Sequence, residues 1–115
     1  MKSIKYSIIY AVIRPEISER LSVGLIIVNG EEIDIRYSRH KLHVLQGLFT
    51  DKEYQFVSRV VHSMQRDKSF NTVDDINYMS RYSNNLIAVS PLQCVDIEPT
   101  EKNKDWLYKN YVYSG

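Results

Sequence analysis

The chain has 115 residues and a formal net charge of +1, from 15 Lys+Arg against 14 Asp+Glu. Hydrophobic residues make up 43% and charged residues 25%, ordinary for a globular domain, and the length suits one domain with one core and one shallow site. The near-neutral total shows none of the basic excess that a dedicated duplex-DNA binder carries. The single cysteine, Cys94, excludes an intramolecular disulfide and a multi-thiolate zinc site, and no apolar run approaches the roughly 20 residues of a membrane span.

The opening MKSIKYSIIYAVIRP has the outline of a signal peptide, but Tyr, Ser and Arg interrupt it and no small-residue cleavage site follows. It is expected to be a strand, and the protein to be cytoplasmic. Residues 5–13 are dense in Ile, Val and Tyr. Tyr6, Ile8, Tyr10 and Val12 fall on one face, and Ser7, Ile9, Ala11 and Ile13 on the other. Both faces are mostly apolar, which predicts a central strand. Arg14-Pro15-Glu16 ends it, because proline cannot donate to a ladder.

Residues 20–28 form the next predicted strand, and Asn29-Gly30 signals a hairpin into residues 32–37. A three-residue loop, Val28-Asn29-Gly30, pairs Leu25 with Ile33, Val23 with Ile35 and Leu21 with Tyr37. That register gathers Leu21, Val23, Leu25, Ile27, Ile33, Ile35 and Tyr37 on one face, and a one-residue slip scatters them. Glu32, Asp34, Arg36 and Ser38 then form a polar, wet face.

From Arg39 the period becomes helical, with Leu42, Leu45, Leu48 and Phe49 as a stripe. Thr50-Asp51-Lys52-Glu53 fits a capping box, and the helix after it carries Tyr54, Val57, Val61 and Met64. Thr72 with Asp75 repeats the cap, and Val73, Ile76 and Met79 continue that helix to about Tyr82. Residues 86–89 read as a short strand closed by Ser90-Pro91, and residues 92–97 as an edge strand. Pro99-Thr100 leads into a last helix whose apolar residues are Trp106, Leu107, Tyr108, Tyr111 and Val112. The predicted fold is a single α+β domain over residues 1–115. It has an antiparallel sheet of 4–5 strands with helices mainly on one face, in the order β-β-β-α-α-α-β-(β)-α.

Few motifs carry chemistry. His40 and His43 are spaced so that both could reach one face, and Asp34 or His62 could supply a third metal ligand, but no HExxH pattern accompanies them. Glu16, Glu19, Glu31, Glu32 and Asp34 could supply paired carboxylates, yet Glu31-Glu32 sits at a hairpin tip, where solvated charge is ordinary. Cys94 lies in a mostly apolar stretch with no nearby His, which predicts a buried structural thiol. The four glycines are too far apart to cradle a phosphate. Gly24 interrupts an apolar strand, which predicts a bulge or a large side chain packed over it. These features imply no catalytic residues, cofactor or metal.

Arg14, Arg20, Arg36, Arg39 and Lys41, with His40 and with Tyr10 or Tyr37 alongside, are the candidate nucleic-acid contacts. Such a mix suits single strands, where bases stack on aromatics and cations follow phosphates. Intervening acids weaken it. Arg59 and Arg66 form a second candidate basic line.

The segment Tyr6-Ser7-Ile8-Ile9, then Pro15 and Glu19-Arg20-Leu21-Ser22-Val23-Gly24-Leu25-Ile26-Ile27, resembles a bacterial domain-of-unknown-function family. Asn85-Leu86-Ile87-Ala88-Val89-Ser90-Pro91 and Trp106-Leu107-Tyr108 through Tyr111-Val112 are similar to that family's late strand and closing helix. Ser22 and Tyr10 depart from its pattern, which tends to Asn and Arg there. The family brings no established activity. Its members are often encoded beside HipA-like serine/threonine kinases, so the resemblance implies such a kinase as a partner.

The chain is expected to be a small non-catalytic protein-interaction or regulatory module, acting through a protein partner or by self-association and not through a membrane. The alternative is a nucleic-acid-associated or nucleolytic protein of a defence or mobile-element system. A third reading, a small-molecule binder, requires a pocket lined by several tyrosines. Of nine tyrosines, Tyr6, Tyr10, Tyr37 and Tyr54 suit core packing. Tyr78, Tyr82, Tyr108, Tyr111 and Tyr113 are the candidate interface, since tyrosine offers a large contact area with a polar tip.

Overall fold

A computed structural model describes residues 4–17, 19–30, 32–66 and 86–112. Strands β1 (Ile4–Arg14), β2 (Glu19–Asn29) and β3 (Glu32–Tyr37) come first. Helices α1 (Arg39–Val44) and α2 (Asp51–Arg66) follow, then β4 (Ile87–Val89), β5 (Gln93–Val95) and helix α3 (Glu101–Tyr111). The fold is α+β, built on a five-stranded antiparallel sheet with helices mainly on one face. The helix predicted over residues 72–82 lies outside the described residues. No helix among the described residues is long and apolar enough to cross a membrane.

The sheet runs β3-β2-β1-β4, and β1 is central as its two apolar faces predict. β2 pairs along nearly all of β1. The other edge of β1 is shared: β4 pairs with residues 9–11, and β5 with residues 4–6. Ser90 joins the two stretches without breaking the edge. Its N–H donates to the Ile8 carbonyl (2.9 Å), and its Oγ accepts from the Ile8 N–H (2.8 Å). The Ser7 hydroxyl donates to the Ser90 carbonyl. Ser90-Pro91 is therefore a corner in one continuous edge, with the serine hydroxyl standing in for a ladder partner.

The β2–β3 hairpin corrects the predicted register. The closing pair is Asn29 with Glu32, followed by Val28–Ile33, Ile26–Ile35 and Gly24–Tyr37. Gly30 sits in the turn at φ +61°, where a glycine is unstrained. The expected single stripe of β2 is also split. Opposite β1, Ile9 pairs with Gly24 but Tyr10 pairs with Ser22, so Val23 is the extra residue of a bulge. Leu21 and Val23 before the bulge share a face with Ile26 and Val28 after it, while Leu25 and Ile27 face the other way.

Gly24 carries the close approach that its place in the strand predicts. A Cβ there would lie 3.0 Å from the Arg36 carbonyl oxygen and 3.0 Å from Ile9 Cδ1.

Two cores result. α1 and α2 close the first, which joins Ile9, Val23, Ile26 and Ile35 to Leu42, Leu45, Val57, Val61 and Met64. Ser38 caps α1 by accepting from the Lys41 N–H. Leu48 does not continue the stripe; it is exposed after a single 3-10 turn, Leu45–Gly47. α2 starts at the predicted capping box, with Thr50 N–H to Glu53 Oε1 at 2.9 Å and Glu53 N–H to Thr50 Oγ1 at 3.3 Å. α3, capped by Thr100, closes the second core on the opposite face, where Leu107 and Val112 meet Ile4, Tyr6, Leu25 and Ile27. Both faces of β2 are thus covered, which is why residues 23–28 are all buried.

Cys94 is exposed, correcting the expected buried thiol: it lies opposite the exposed Lys5 on the short outer strand β5.

Candidate functional site

The second core fixes how α3 presents its side chains. Arg36 projects from β3 on that face, and the face expected to be wet is instead an electrostatic seat for the helix. Its Nη1 donates to Asp105 Oδ1 (2.5 Å), its Nη2 to Glu101 Oε2 (2.8 Å) and its Nε to Asp34 Oδ2 (3.1 Å). Burial alone would lower the Arg36 pKa; Asp105, Glu101 and Asp34 outweigh it and hold the value above that of an ordinary arginine. Lys104 is buried beneath them, 4.0 Å from Asp34 and 3.9 Å from Glu101.

At its far end α3 is held by an aromatic contact. Tyr111 stacks on Tyr6 with ring centroids 5.0 Å apart and planes at 22°. The Tyr6 hydroxyl donates to Gln93 Oε1 (2.8 Å) and lies 3.3 Å from the Tyr111 hydroxyl. The hydrogen bond it shares with Tyr111, with burial, pushes the Tyr6 pKa up to about 12.

Glu101 and Asp105 of α3 are thus paired with Arg36 while staying largely exposed, and the flank beyond them is Lys102, Trp106 and Lys109. Spacings of four and three put them on one helical stripe. Trp106 is 51% exposed. With Asp105 the three line a shallow depression of about 470 Å³. Sequence reasoning places Trp106 among the apolar residues of the helix; the signal it passes over is the Lys-x3-Trp-x2-Lys spacing itself, on the side away from Lys104.

Of the five candidate interface tyrosines, Tyr108 packs half-buried against the second core and Tyr111 keeps 38% exposure over Tyr6. Tyr78, Tyr82 and Tyr113 lie outside the described residues.

The candidate basic residues are not brought to one edge. Arg14 is exposed at the end of β1, across from Glu19. Arg36 is engaged by three carboxylates. Arg20 lies over the Tyr10 ring at 4.1 Å, Tyr10 pairs with Ser22, and Lys41 Nζ donates to Ser22 Oγ at 3.0 Å. Those four residues are contiguous, and burial lowers the Lys41 pKa. Arg39 lies apart from them, in a cleft with His43 and His62. His40 is exposed and is not among that cleft's lining residues, and no group of three or more metal-ligating side chains occurs among the described residues. The side chain of Arg66 lies outside the described residues.

No family model matches the chain, and no curated protein or solved structure matches it.

Proposed function

We propose that the protein is a non-catalytic interaction module whose contact surface is the Lys102–Trp106–Lys109 stripe of α3, and that its partner is an acidic protein segment carrying an apolar anchor. The observation that carries this reading is the half-exposed Trp106 on a helix pinned from beneath by Arg36, Leu107 and the Tyr6–Tyr111 stack. A large aromatic held in place loses little entropy on binding, and tryptophan is enriched among residues that dominate binding energy. The charge of the stripe favours acids. A second copy of this chain is disfavoured, because an isologous contact centred on Trp106 brings the same two lysines face to face. The HipA-like kinase implied by the sequence resemblance is the first full-length partner to test.

Selection of displayed peptides on the purified protein tests the reading. Binders are expected to be rich in Asp and Glu around one apolar residue. Trp106→Ala is expected to weaken them about tenfold or more with an unchanged thermal midpoint. Binders without acidic enrichment, or binders indifferent to Trp106→Ala, would overturn it.

A second reading rests on the Arg20–Tyr10–Ser22–Lys41 group, which places two cations beside an aromatic ring on a sheet face, a combination suited to single-stranded nucleic acid. Titration with mixed oligonucleotides at low salt tests it. Salt-sensitive binding lost in Arg20→Ala supports it, and no binding ends it.

A further inference from the structure

On the other face of the sheet, a cleft of about 330 Å³ opens where β3, α1 and α2 meet, lined by Tyr37, Arg39, Leu42, His43, Tyr54 and His62. The lining contains a guanidinium, two imidazoles and two phenols, and no carboxylate. Arg39 is exposed and has no carboxylate within ion-pair distance among the described residues. Arg36, three residues earlier, is saturated by three. The positive charge of the cleft is therefore available to a ligand.

The His62 ring is oriented from two sides. Its Nδ1 lies 2.6 Å from the Ser58 carbonyl oxygen, which can only accept, so Nδ1 carries a proton, and Nε2, when it too is protonated, is the donor left for an anion. Tyr37 meets the ring edge-on with centroids 5.0 Å apart. A fixed imidazole, a second imidazole and a guanidinium are a donor set for one compact anion, and the fork of arginine matches phosphate oxygens. Tyr37 and Tyr54 add aromatic walls, and the volume is at the small end of the range for organic ligands, about 300–1,000 Å³.

We propose that this cleft binds a small phosphate monoester with a flat ring, of the nucleoside monophosphate class. Arg39, His43 and His62 hold the phosphate, and Tyr37 and Tyr54 flank the ring. The site is independent of the α3 stripe, so each can fail without the other.

Calorimetric titration with uridine 5′-monophosphate, uridine and inorganic phosphate tests the proposal. The monophosphate is expected to bind saturably and about tenfold or more tighter than uridine or phosphate alone, because charge-assisted hydrogen bonds to the phosphate and ring contacts act together. Arg39→Ala, at an exposed position compatible with folding, is expected to cost about tenfold in affinity. Lys109→Ala is expected to cost nothing. Absence of saturable binding, equal affinity for uridine and its monophosphate, or an unchanged constant in a folded Arg39→Ala protein would overturn the proposal.

Discussion

Arg36 on β3 and Asp105 on α3, 69 residues apart in the chain, meet at 2.5 Å and set how the last helix lies on the sheet. The same guanidinium holds Glu101 one turn earlier, so two successive acids of the helix are fixed by one cation. This leaves Lys102, Trp106 and Lys109 as the outward flank. Arg36→Met is expected to cost about 1 kcal/mol of stability, because the carboxylates are largely exposed and each such pair contributes little alone. The more diagnostic change is local: amide exchange in α3 should speed up while exchange in β1 and β2 keeps its protection. Uniform loss of protection across the sheet would show that Arg36 does not act through the helix.

The Tyr6–Tyr111 contact predicts a loss of stability in alkali. The folded-state pKa of Tyr6 stands at about 12, raised from 10.0. An acid whose folded pKa is raised keeps its proton longer in the native state, so the stabilisation is complete below pH 10 and declines as pH rises towards about 12. Tyr6→Phe should flatten the decline between those values. Equal slopes in denaturant melts of the parent and Tyr6→Phe would contradict it. Comparing the two proteins cancels Lys41, whose lowered pKa acts in both alike and with the opposite sign.

Gly24→Ala should destabilise the protein by about 1–3 kcal/mol. The added Cβ meets the Arg36 backbone carbonyl at 3.0 Å, and backbone cannot move aside as the Ile9 side chain can. Urea melts give the difference directly. An unchanged midpoint would mean that β2 and β3 separate at no cost.

Thr50→Ala should cost about 1 kcal/mol by removing one half of the α2 capping box. A thermal melt read at the helical signal measures it. A fully retained midpoint would show that packing of Val57, Val61 and Met64 alone sets the start of α2.

That cap is legible in the sequence because it is local: residue types at fixed spacing, followed by an apolar stripe. The central position of β1 is legible for a similar reason, since two apolar faces demand two covers. The β2–β3 register is not. Its prediction rests on one buried face, but α3 returns from the far end of the chain to cover the second, and the Val23 bulge changes the phase midway. Neither event leaves a mark near residues 23–28 beyond Gly24. The same return of α3 makes Arg36 an anchor and leaves Trp106 outside, a partition that appears only once β3 and α3 are placed together. The Arg39–His43–His62 cleft needs the packing of α2 on β3; spacing alone sets His43 beside His40, which does not line that cleft.

The most direct test of the interaction surface uses Trp106 itself. It is the only tryptophan in the chain, so the protein's tryptophan emission reports that surface alone. On titration with an acidic peptide selected for binding, the emission should shift to the blue and become less accessible to acrylamide, and the double charge reversal Lys102→Glu with Lys109→Glu should abolish both changes. Unaltered emission at saturating peptide, or the same response in the charge-reversed protein, would contradict the assignment of the α3 stripe as the docking surface.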